Sequence, residues 1–354
     1  MINLRIDQFV LYLGYGDAIS SHALWIRDTL RRWGYRSTIY AEVLDPRMRK
    51  HGQPLAKYRS EEDGKVIFHY CGASALSDFV LGLGQNIVMI YHNITPHEYF
   101  LPVNYRTAET TRKGRDELGR FVGITDLALG DSEFNRQELE SVGFRHTAVL
   151  PIALDRSSLE VKPDPWVLRA YGNDGSANFL FVGRIAPNKK QEDVLKVFAY
   201  YSTIIDSNSR LFIVGSSSGT DVYLEWLQRL VARLGLDNAH FTGQVTQSEL
   251  VAYYKLAHAF VCMSEHEGFC VPLLESMYFQ VPVVAYACPA VAWTLGDAGI
   301  LVKAREYDII AEALHVVVTN GHLRQKVIER QNARLQYFAP ERVERMLRGY
   351  LGIP

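Results

Sequence analysis

The chain reads as an α/β protein of two domains, each built on a parallel sheet with helices on both faces. Short apolar, β-branched runs alternate with segments of helical spacing along most of its 354 residues, the pattern of parallel strands joined by helical crossovers. The alternation breaks between Asp155 and Ser176, where Pro163, Pro165, Gly172 and Gly175 interrupt a stretch of weak periodicity, as expected of a linker. A chain of this length also exceeds what one core of ordinary size holds.

In the first half, Gln8 to Leu13 is a short apolar strand. Gly14, Gly16 and Asp17 form a turn, Ser20 or Ser21 caps a helix that runs to about Trp33, and Gly34 stops it. Further strands are expected at Ser37 to Ala41, Val66 to Tyr70, Ile87 to Tyr91, Leu127 to Gly130 and Thr147 to Leu150, with a helix from Ser132 to Val142 ended by Gly143. The second half repeats the alternation without repeating the sequence. Its strands are Asn178 to Val182, Arg210 to Val214, His240 to Thr242, Ala259 to Met263 and Val281 to Tyr286. Its helices are Gln191 to Tyr201, Tyr223 to Leu234, Ser248 to Leu256, Tyr307 to Val318 and Leu323 to Phe338. Pro340 precedes a last amphipathic helix, Glu341 to Leu351. The domains are therefore placed at residues 1–165 and 166–338, with 339–354 crossing back to the first.

Composition narrows the classes of function. A formal net charge of −1, spread evenly over both halves, gives no general affinity for nucleic acid or anionic membrane. The cysteines Cys71, Cys262, Cys270 and Cys288 form no C-x-x-C pair, so free thiols in a reducing compartment are expected. The segment from Met1 to Gly14 lacks the features of a signal peptide, which points to the cytoplasm. Ser276 to Gly296 carries no charge and is long enough to span a bilayer. Gln280, Pro282 and Pro289 within it favour core: the end of a helix, a strand and a loop.

The residues 265–284, EHEGFCVPLLESMYFQVPVV, are the densest in chemistry. Glu267 and Glu275 bracket a turn and the first turn of a helix, with Pro272 suited to the first helical position. The backbone N–H groups from Gly268 to Leu273 are expected to lie unpaired there, and such a helix start attracts phosphate. Carboxylates on either side suit the hydroxyls flanking a diphosphate, as in a nucleotide-activated sugar. A second phosphate-compatible element follows strand Asn178 to Val182. Gly183 lets backbone come close, Arg184 offers a planar fork and Lys189 a point charge at the next helix start; the bland reading is a solvated basic turn. Both elements sit at strand C-terminal ends, where open α/β sheets bind ligands.

The first domain is less explicit. Gly14-Tyr-Gly16-Asp17 with Glu42 is a partial dinucleotide fingerprint, but Ile19 replaces the third glycine; a glycine-lined floor under a ligand is the other reading. His92 follows a strand at the edge where a ligand is expected, whereas His69 and His266 read as structural. His92 and His97 are poorly spaced for a metal, and no D-x-D pair occurs, so no metal is expected. Ser216 to Gly219 reads as a flexible connector. Basic residues around Arg27, Arg31 and Arg106 to Arg120 suit either anionic lipid head groups or a solvated helix face.

Taken together, these motifs resemble the retaining family 4 glycosyltransferases of GT-B fold over nearly the whole chain. EGFCVPLLE matches the E-x7-E motif of that family and Gly183, Arg184 and Lys189 its GRxxxxK site. GYGDAIS and YHNITPHEYF are similar to a branch that builds bacterial surface polysaccharides. The resemblance implies two Rossmann-like domains facing across a cleft, the first on the acceptor side and the second binding the donor. It implies that Glu275 binds ribose, that Glu267 contacts the transferred sugar, and that backbone from Phe269 to Val271 meets the phosphates. Arg184 and Lys189 then stabilise the departing diphosphate, His92 lies near the sugar, and Gly14 and Gly16 approach the donor. Gly268, Cys270 and Leu274 complete the expected donor site, and His92, Glu267, Arg184 and Lys189 the expected catalytic set. Cys270 stands where glycine is common, and Gln280 where glycine often ends the helix. The expected reaction moves a hexose from a nucleotide diphosphate sugar, UDP-glucose before GDP-mannose, to a glycan or lipid-linked glycan, with no cofactor, metal or nucleic acid. Peripheral contact with the inner membrane face is compatible with this branch. A sugar-nucleotide binding protein without transfer activity is the alternative.

Overall fold

A computed structural model describes residues 4–61, 64–83, 87–172 and 174–353. The chain divides into two compact units. The first comprises residues 1–98, 106–153 and 340–354, and the second residues 99–105 and 154–339. The boundary thus falls at Ala153/Leu154 rather than at 165/166, and a short piece of the first half belongs with the second.

In the first unit, seven parallel strands among the described residues are β1 (Ile6–Leu13), β2 (Ile39–Leu44), β3 (Gln53–Pro54), β4 (Lys65–Tyr70), β5 (Ile87–Tyr91), β6 (Thr125–Gly130) and β7 (Thr147–Val149), in spatial order 3-2-1-4-5-6-7. The inner strands are buried on both faces, which explains why they read as continuous apolar runs. β3 escapes a sequence reading because it is two residues long and holds Pro54, a residue confined to sheet edges. Helices α1 (Ala18–Arg32), α2 (Ala75–Leu81), α3 (Tyr105–Glu117) and α4 (Glu133–Val142) connect the strands. α1 is capped by Asp17, whose carboxylate accepts from the Ser20 N–H at 2.8 Å. Ser20 is instead one turn inside, its hydroxyl bridging the Gly14 N–H and Asp17. An acidic cap also suits the positive end of the helix dipole.

The second unit opens with two helices where the linker was expected. α5 (Arg156–Leu159) is capped by Asp155 and α6 (Pro165–Tyr171) by Asp164, with Pro165 in the first turn. The Asp164 N–H donates to the Ser248 carbonyl at 2.9 Å, so this segment is docked rather than loose. A six-stranded parallel sheet among the described residues follows: β8 (Ala177–Val182), β9 (Ser209–Val214), β10 (Ala239–Gly243), β11 (Ala259–Cys262), β12 (Val283–Tyr286) and β13 (Ile300–Val302), in order 10-9-8-11-12-13. The helices are α7 (Gln191–Tyr200), α8 (Asp221–Leu234), α9 (Gln247–Leu256), α10 (Val271–Tyr278), α11 (Pro289–Leu295), α12 (Tyr307–Thr319) and α13 (Gly321–Leu335). The uncharged stretch 276–296 supplies the end of α10, strand β12 and helix α11; the expected loop is helical. Among the described residues, no helix is long and apolar enough to cross a membrane.

The last helix, α14 (Pro340–Leu351), returns to the first unit. Val343, Leu347 and Leu351 repeat at a spacing of four and are buried with Ile6, Ile26, Leu30, Ile90 and Leu129. Fully burying each such side chain contributes about 1.5–3 kcal/mol.

Candidate functional site

Parallel pairing brings the C-terminal ends of β8, β9, β11 and β12 to one edge of the second sheet. At that edge the turns after β8 and β9 meet backbone to backbone. Gly183 has φ +154° and Gly215 +152°, and a Cβ on Gly215 would fall 1.9 Å from the Gly183 carbonyl oxygen. The close approach is therefore permitted by Gly215, since a Cβ on Gly183 would meet only the Phe181 ring at 3.4 Å.

Arg184 leaves this turn exposed to solvent. One guanidinium nitrogen donates to the Ser218 carbonyl at 3.1 Å, and the group lies 6.0 Å from the Phe100 ring centroid. No carboxylate pairs with it among the described residues. The loop Ser216 to Gly219, expected to be a flexible connector, is pinned: Ser217 donates to Asp221 at 2.7 Å, Thr220 donates to the Ile185 carbonyl, and Asn104 donates to the Gly219 carbonyl at 2.7 Å. Its work here is to hold Ser218 under Arg184.

Lys189 ends a 3₁₀ turn, Pro187–Lys189. This turn is stitched to the loop 264–270 by Asn188, which the sequence reading missed. The buried Asn188 accepts from the Glu265 N–H at 2.9 Å and donates to the His266 carbonyl at 3.0 Å. Its signal was an Asn beside Pro in a turn, a residue type that bonds local backbone. The stitch sets Lys189 Nζ 2.5 Å from Glu267 Oε2, while Ser264 donates to Glu267 Oε1 at 2.9 Å. Burial is the largest influence on the Lys189 ammonium and lowers its pKa, but the charge and hydrogen bond of Glu267 together with the neighbouring Cys270 and Cys262 outweigh it, and the net shift is upward. Lys189 and Glu267, expected to act separately, form a pair. The neighbouring cations are also matched: Lys190 with Glu265 and Glu192, Arg305 with Glu265 and Asp193. Among the described residues Arg184, unlike Lys189, Lys190 and Arg305, faces no acid.

The loop turns into α10 at Cys270, which adopts φ +72°. That conformation costs a residue with a Cβ roughly 1–2 kcal/mol, and it explains why glycine is common at this place in the resembling family. Val271 is the first helical residue and Pro272 the second, one later than expected. The amides of Phe269, Cys270 and Val271 donate to no group among the described residues. The Leu273 N–H, expected free, donates to the Cys270 carbonyl at 3.1 Å. Thr294 of α11 fixes the loop by donating to the Phe269 carbonyl at 2.6 Å. Leu274 is fully buried, so it offers a ligand no side-chain surface and leaves the expected donor set. Gly268 lies on the loop between Glu267 and the free amides. One turn into α10, Glu275 accepts from the Tyr254 hydroxyl at 2.6 Å. Burial raises its carboxyl above the ordinary value, opposed by the Tyr254 bond. Glu275 Oε1 has no hydrogen bond among the described residues. Cys262, Glu267 and Cys270 place their donor atoms within 4.8 Å of one another, but the Lys189 ammonium already occupies the cation position on Glu267. A separate hollow of about 450 Å³ opens in the second unit near Tyr171, Lys255, His258 and Arg324. It lies at the N-terminal ends of β8 and β11, the opposite edge from the one described.

In the first unit, Gly14 and Gly16 form the turn before α1, Gly16 at φ +73°. His92 follows β5 as expected, yet its imidazole is turned inward and its side chain is 1% exposed. His92 Nδ1 lies 2.7 Å from Asp131 Oδ2, and Nε2 lies 2.8 Å from His69 Nδ1. The imidazole is closed off because His69 on β4 and Asp131 just after β6 supply a partner for each nitrogen. His69, read as structural, lies directly behind it.

The family model described as glycosyl transferases group 1 matches residues 170–334. O-antigen chain mannosyltransferase B of Escherichia coli is 24% identical over 265 residues, which is 73% of this chain and 68% of that protein. D-inositol 3-phosphate glycosyltransferase of Streptomyces bingchenggensis is 34% identical over 146 residues, 38% of this chain and 31% of its own length. Among solved structures, Anabaena HepE in complex with UDP-glucose superposes with a TM-score of 0.73 at 16% identity, covering 98% of this chain and 99% of that one. Sucrose-phosphate synthase from Thermosynechococcus elongatus gives 0.74 at 17% identity, covering 99% and 98%. The likeness of these structures is one of fold.

Proposed function

We infer, for a chain whose residues 170–334 belong to the group 1 glycosyl transferases and whose fold is GT-B, that it transfers a hexose from a nucleotide diphosphate sugar to an acceptor hydroxyl in glycan synthesis. One observation carries the reading. The unmatched cation Arg184 and three free amides, at Phe269, Cys270 and Val271, lie in the same family-matched unit at the ligand-binding edge of its sheet.

That set suits a diphosphate. Backbone amides at a helix start and a guanidinium both stabilise phosphate oxygens, and both gain strength as the sugar–phosphate bond breaks and negative charge builds on the leaving group. The Lys189–Glu267 pair would sit beside the transferred sugar, Glu267 accepting from its hydroxyls while Lys189 faces the departing diphosphate. The open Glu275 Oε1 would take ribose hydroxyls, with Tyr254 holding the carboxylate in place. The reaction proposed proceeds with retention at the anomeric carbon and without metal. Acceptor groups are assigned to the first unit, and a lipid-linked glycan, reached by peripheral membrane contact, suits the surface-polysaccharide branch.

For the donor, sequence relationship outweighs likeness of fold. The relative covering most of this chain is named a mannosyltransferase, and another, 34% identical over 122 residues, is named GDP-mannose-dependent. GDP-mannose is therefore placed before the UDP-glucose first expected from sequence, which the HepE complex supports through fold alone. A thermal-shift panel of GDP, UDP and ADP tests this. Stabilisation by GDP alone supports the order given, and stabilisation by UDP alone reverses it. Incubating the matching sugar nucleotide with lipid-linked acceptors and measuring free nucleoside diphosphate separates transfer from mere binding.

A further inference from the structure

The first unit holds a line of four buried side chains whose hydrogen atoms can be counted. Gln8 lies on β1, His69 on β4, His92 just after β5 and Asp131 just after β6. Their polar atoms run in series. Gln8 Oε1 is 2.8 Å from His69 Nε2, His69 Nδ1 is 2.8 Å from His92 Nε2, and His92 Nδ1 is 2.7 Å from Asp131 Oδ2. The imidazoles of His69 and His92 lie within 1° of parallel with ring centroids 5.1 Å apart, a geometry compatible with an in-line bond between ring nitrogens.

Both ends of the line are acceptors. A carboxylate accepts only, and the Gln8 amide is oriented because its Nε2 donates to the Ala23 carbonyl at 3.0 Å, which turns Oε1 towards His69. Three bonds between terminal acceptors need three hydrogens. Two neutral imidazoles supply two. With only two, one buried pair would face lone pair to lone pair, an expensive arrangement where no water competes.

We propose that the line carries a third hydrogen, that it resides on His92, and that Gln8 and His69 are positioning residues which keep it there. His92 then donates from both ring nitrogens, to Asp131 on one side and to His69 on the other. His69 stays neutral and donates from Nε2 to Gln8. An imidazole nitrogen is far more basic than a carboxylate oxygen, which favours His92 over Asp131 as the seat.

The surroundings agree. Burial, then His92 and His22, hold the His69 imidazole well below its ordinary pKa. Burial lowers His22, on α1, to about 4 despite Asp131, so neither neighbour competes for the charge. His22 Nδ1 lies 3.9 Å from Asp131 Oδ1 and makes no hydrogen bond among the described residues. Among the described residues Cys71, just after β4, feels the charge of Asp131, and burial pushes its thiol up to about 12; Asp17, ahead of α1, acts on the same thiol. From α4, Glu138 is engaged by Asn93, Tyr91 and Arg115. Asp131 is thus the anion in contact with His92.

The inference concerns the first unit alone and stands whether or not the chain transfers sugar. It is tested by counting ring N–H groups in the intact, ¹⁵N-histidine-labelled protein by long-range ¹H–¹⁵N correlation at pH 7.5, with each ring assigned by single His→Gln variants. The expected result is three N–H groups over the pair, two of them on His92. Gln8→Met keeps the volume but removes the terminal acceptor, so the count should fall to two, with His92 left bearing hydrogen at Nδ1. Asp131→Asn replaces the other terminal acceptor with a group that can donate, so His92 should become neutral and bear hydrogen at Nε2. One N–H on each ring of the unsubstituted protein overturns the proposal, as does a doubly protonated His69. An unchanged count in both variants removes Gln8 and Asp131 from the role. Should Gln8→Met fail to fold, the direction of the Asp131→Asn tautomer decides.

Discussion

The two units carry the same kind of edge and treat it in opposite ways. Each gathers polar side chains where parallel strands end. In the second unit the edge stays open, with Arg184 matched by no acid, three amides without acceptors and one free oxygen on Glu275. In the first unit the set is closed on itself: Gln8, His69, His92 and Asp131 bond to one another in series away from solvent, with Asp131 Oδ1 alone of the line left without a partner among the described residues. An open set is poised for a ligand, whereas a closed set makes a rigid and costly-to-disturb support. The sequence signals for the two were alike, a polar residue after an apolar strand, so the distinction lies in what faces each residue across the sheet.

The sharpest break in this contrast comes from the cations. Arg184→Ala should lower turnover by roughly 10²–10³-fold while leaving the melting temperature nearly unchanged, because its described contacts are one exposed carbonyl and the Phe100 ring at 6.0 Å, with no ion pair to lose. Lys189→Met should lower turnover to a similar degree and also destabilise by about 3–5 kcal/mol, since it strands Glu267 as a buried charge. Denaturant titration beside steady-state kinetics separates the two, and equal stability of both variants would dissolve the pair.

Glu275→Ala should weaken nucleoside diphosphate binding by roughly ten- to a hundredfold, the worth of hydrogen bonds to a charged group, read by calorimetry. Its raised pKa gives a direction with pH. The carboxylate proposed to accept from ribose is lost on acidification at a higher pH than for an ordinary glutamate, so affinity should fall earlier as pH drops, and Glu275→Gln should flatten that limb.

In the closed edge, Asp131→Ala should cost about 1.5–3 kcal/mol of stability through the lost buried bond. Calorimetry with nucleotide should show no change, because the site assigned to it lies in the other unit. Loss of nucleotide affinity would mean that the first unit shares in that site. The smallest effect is expected at Gln280, exposed with φ +58° at the end of α10. Gln280→Gly should stabilise by about 0.5–1 kcal/mol, the strain relieved less the added freedom of the unfolded chain, visible as a small rise in melting temperature.

Much of this fold was legible because its central strands are buried on both faces and announce themselves as apolar runs, and because glycines such as Gly143 end helices plainly. α5 and α6 were overlooked although Asp155, Asp164 and Pro165 are ordinary start signals; proline and glycine density was weighed above them. α11 and β13 are too short for periodicity to speak. Within the site, Gly183, Arg184, Lys189, Glu267 and Glu275 could be nominated from residue type and strand ends. The pairing of Lys189 with Glu267, 78 positions later, could not, since it depends on the Asn188 stitch. Leu274 stands next to Glu275 in sequence, but the helix turns it into the core. The His92 line required four neighbouring strands, β1, β4, β5 and β6, to be set side by side, an arrangement no local pattern encodes.

The return of α14 to the first unit bears on how the polypeptide matures. The amino-terminal lobe leaves the ribosome first, yet part of its apolar lining is written in residues 340–353 and emerges only after some 190 residues of its neighbour. This unit is therefore begun before its neighbour and completed after it. Until that closing helix arrives, a greasy stripe along Ile6, Ile26 and Leu30 lies bare, a natural foothold for chaperones, and an expression fragment cut at Ala153 would inherit the same bare stripe.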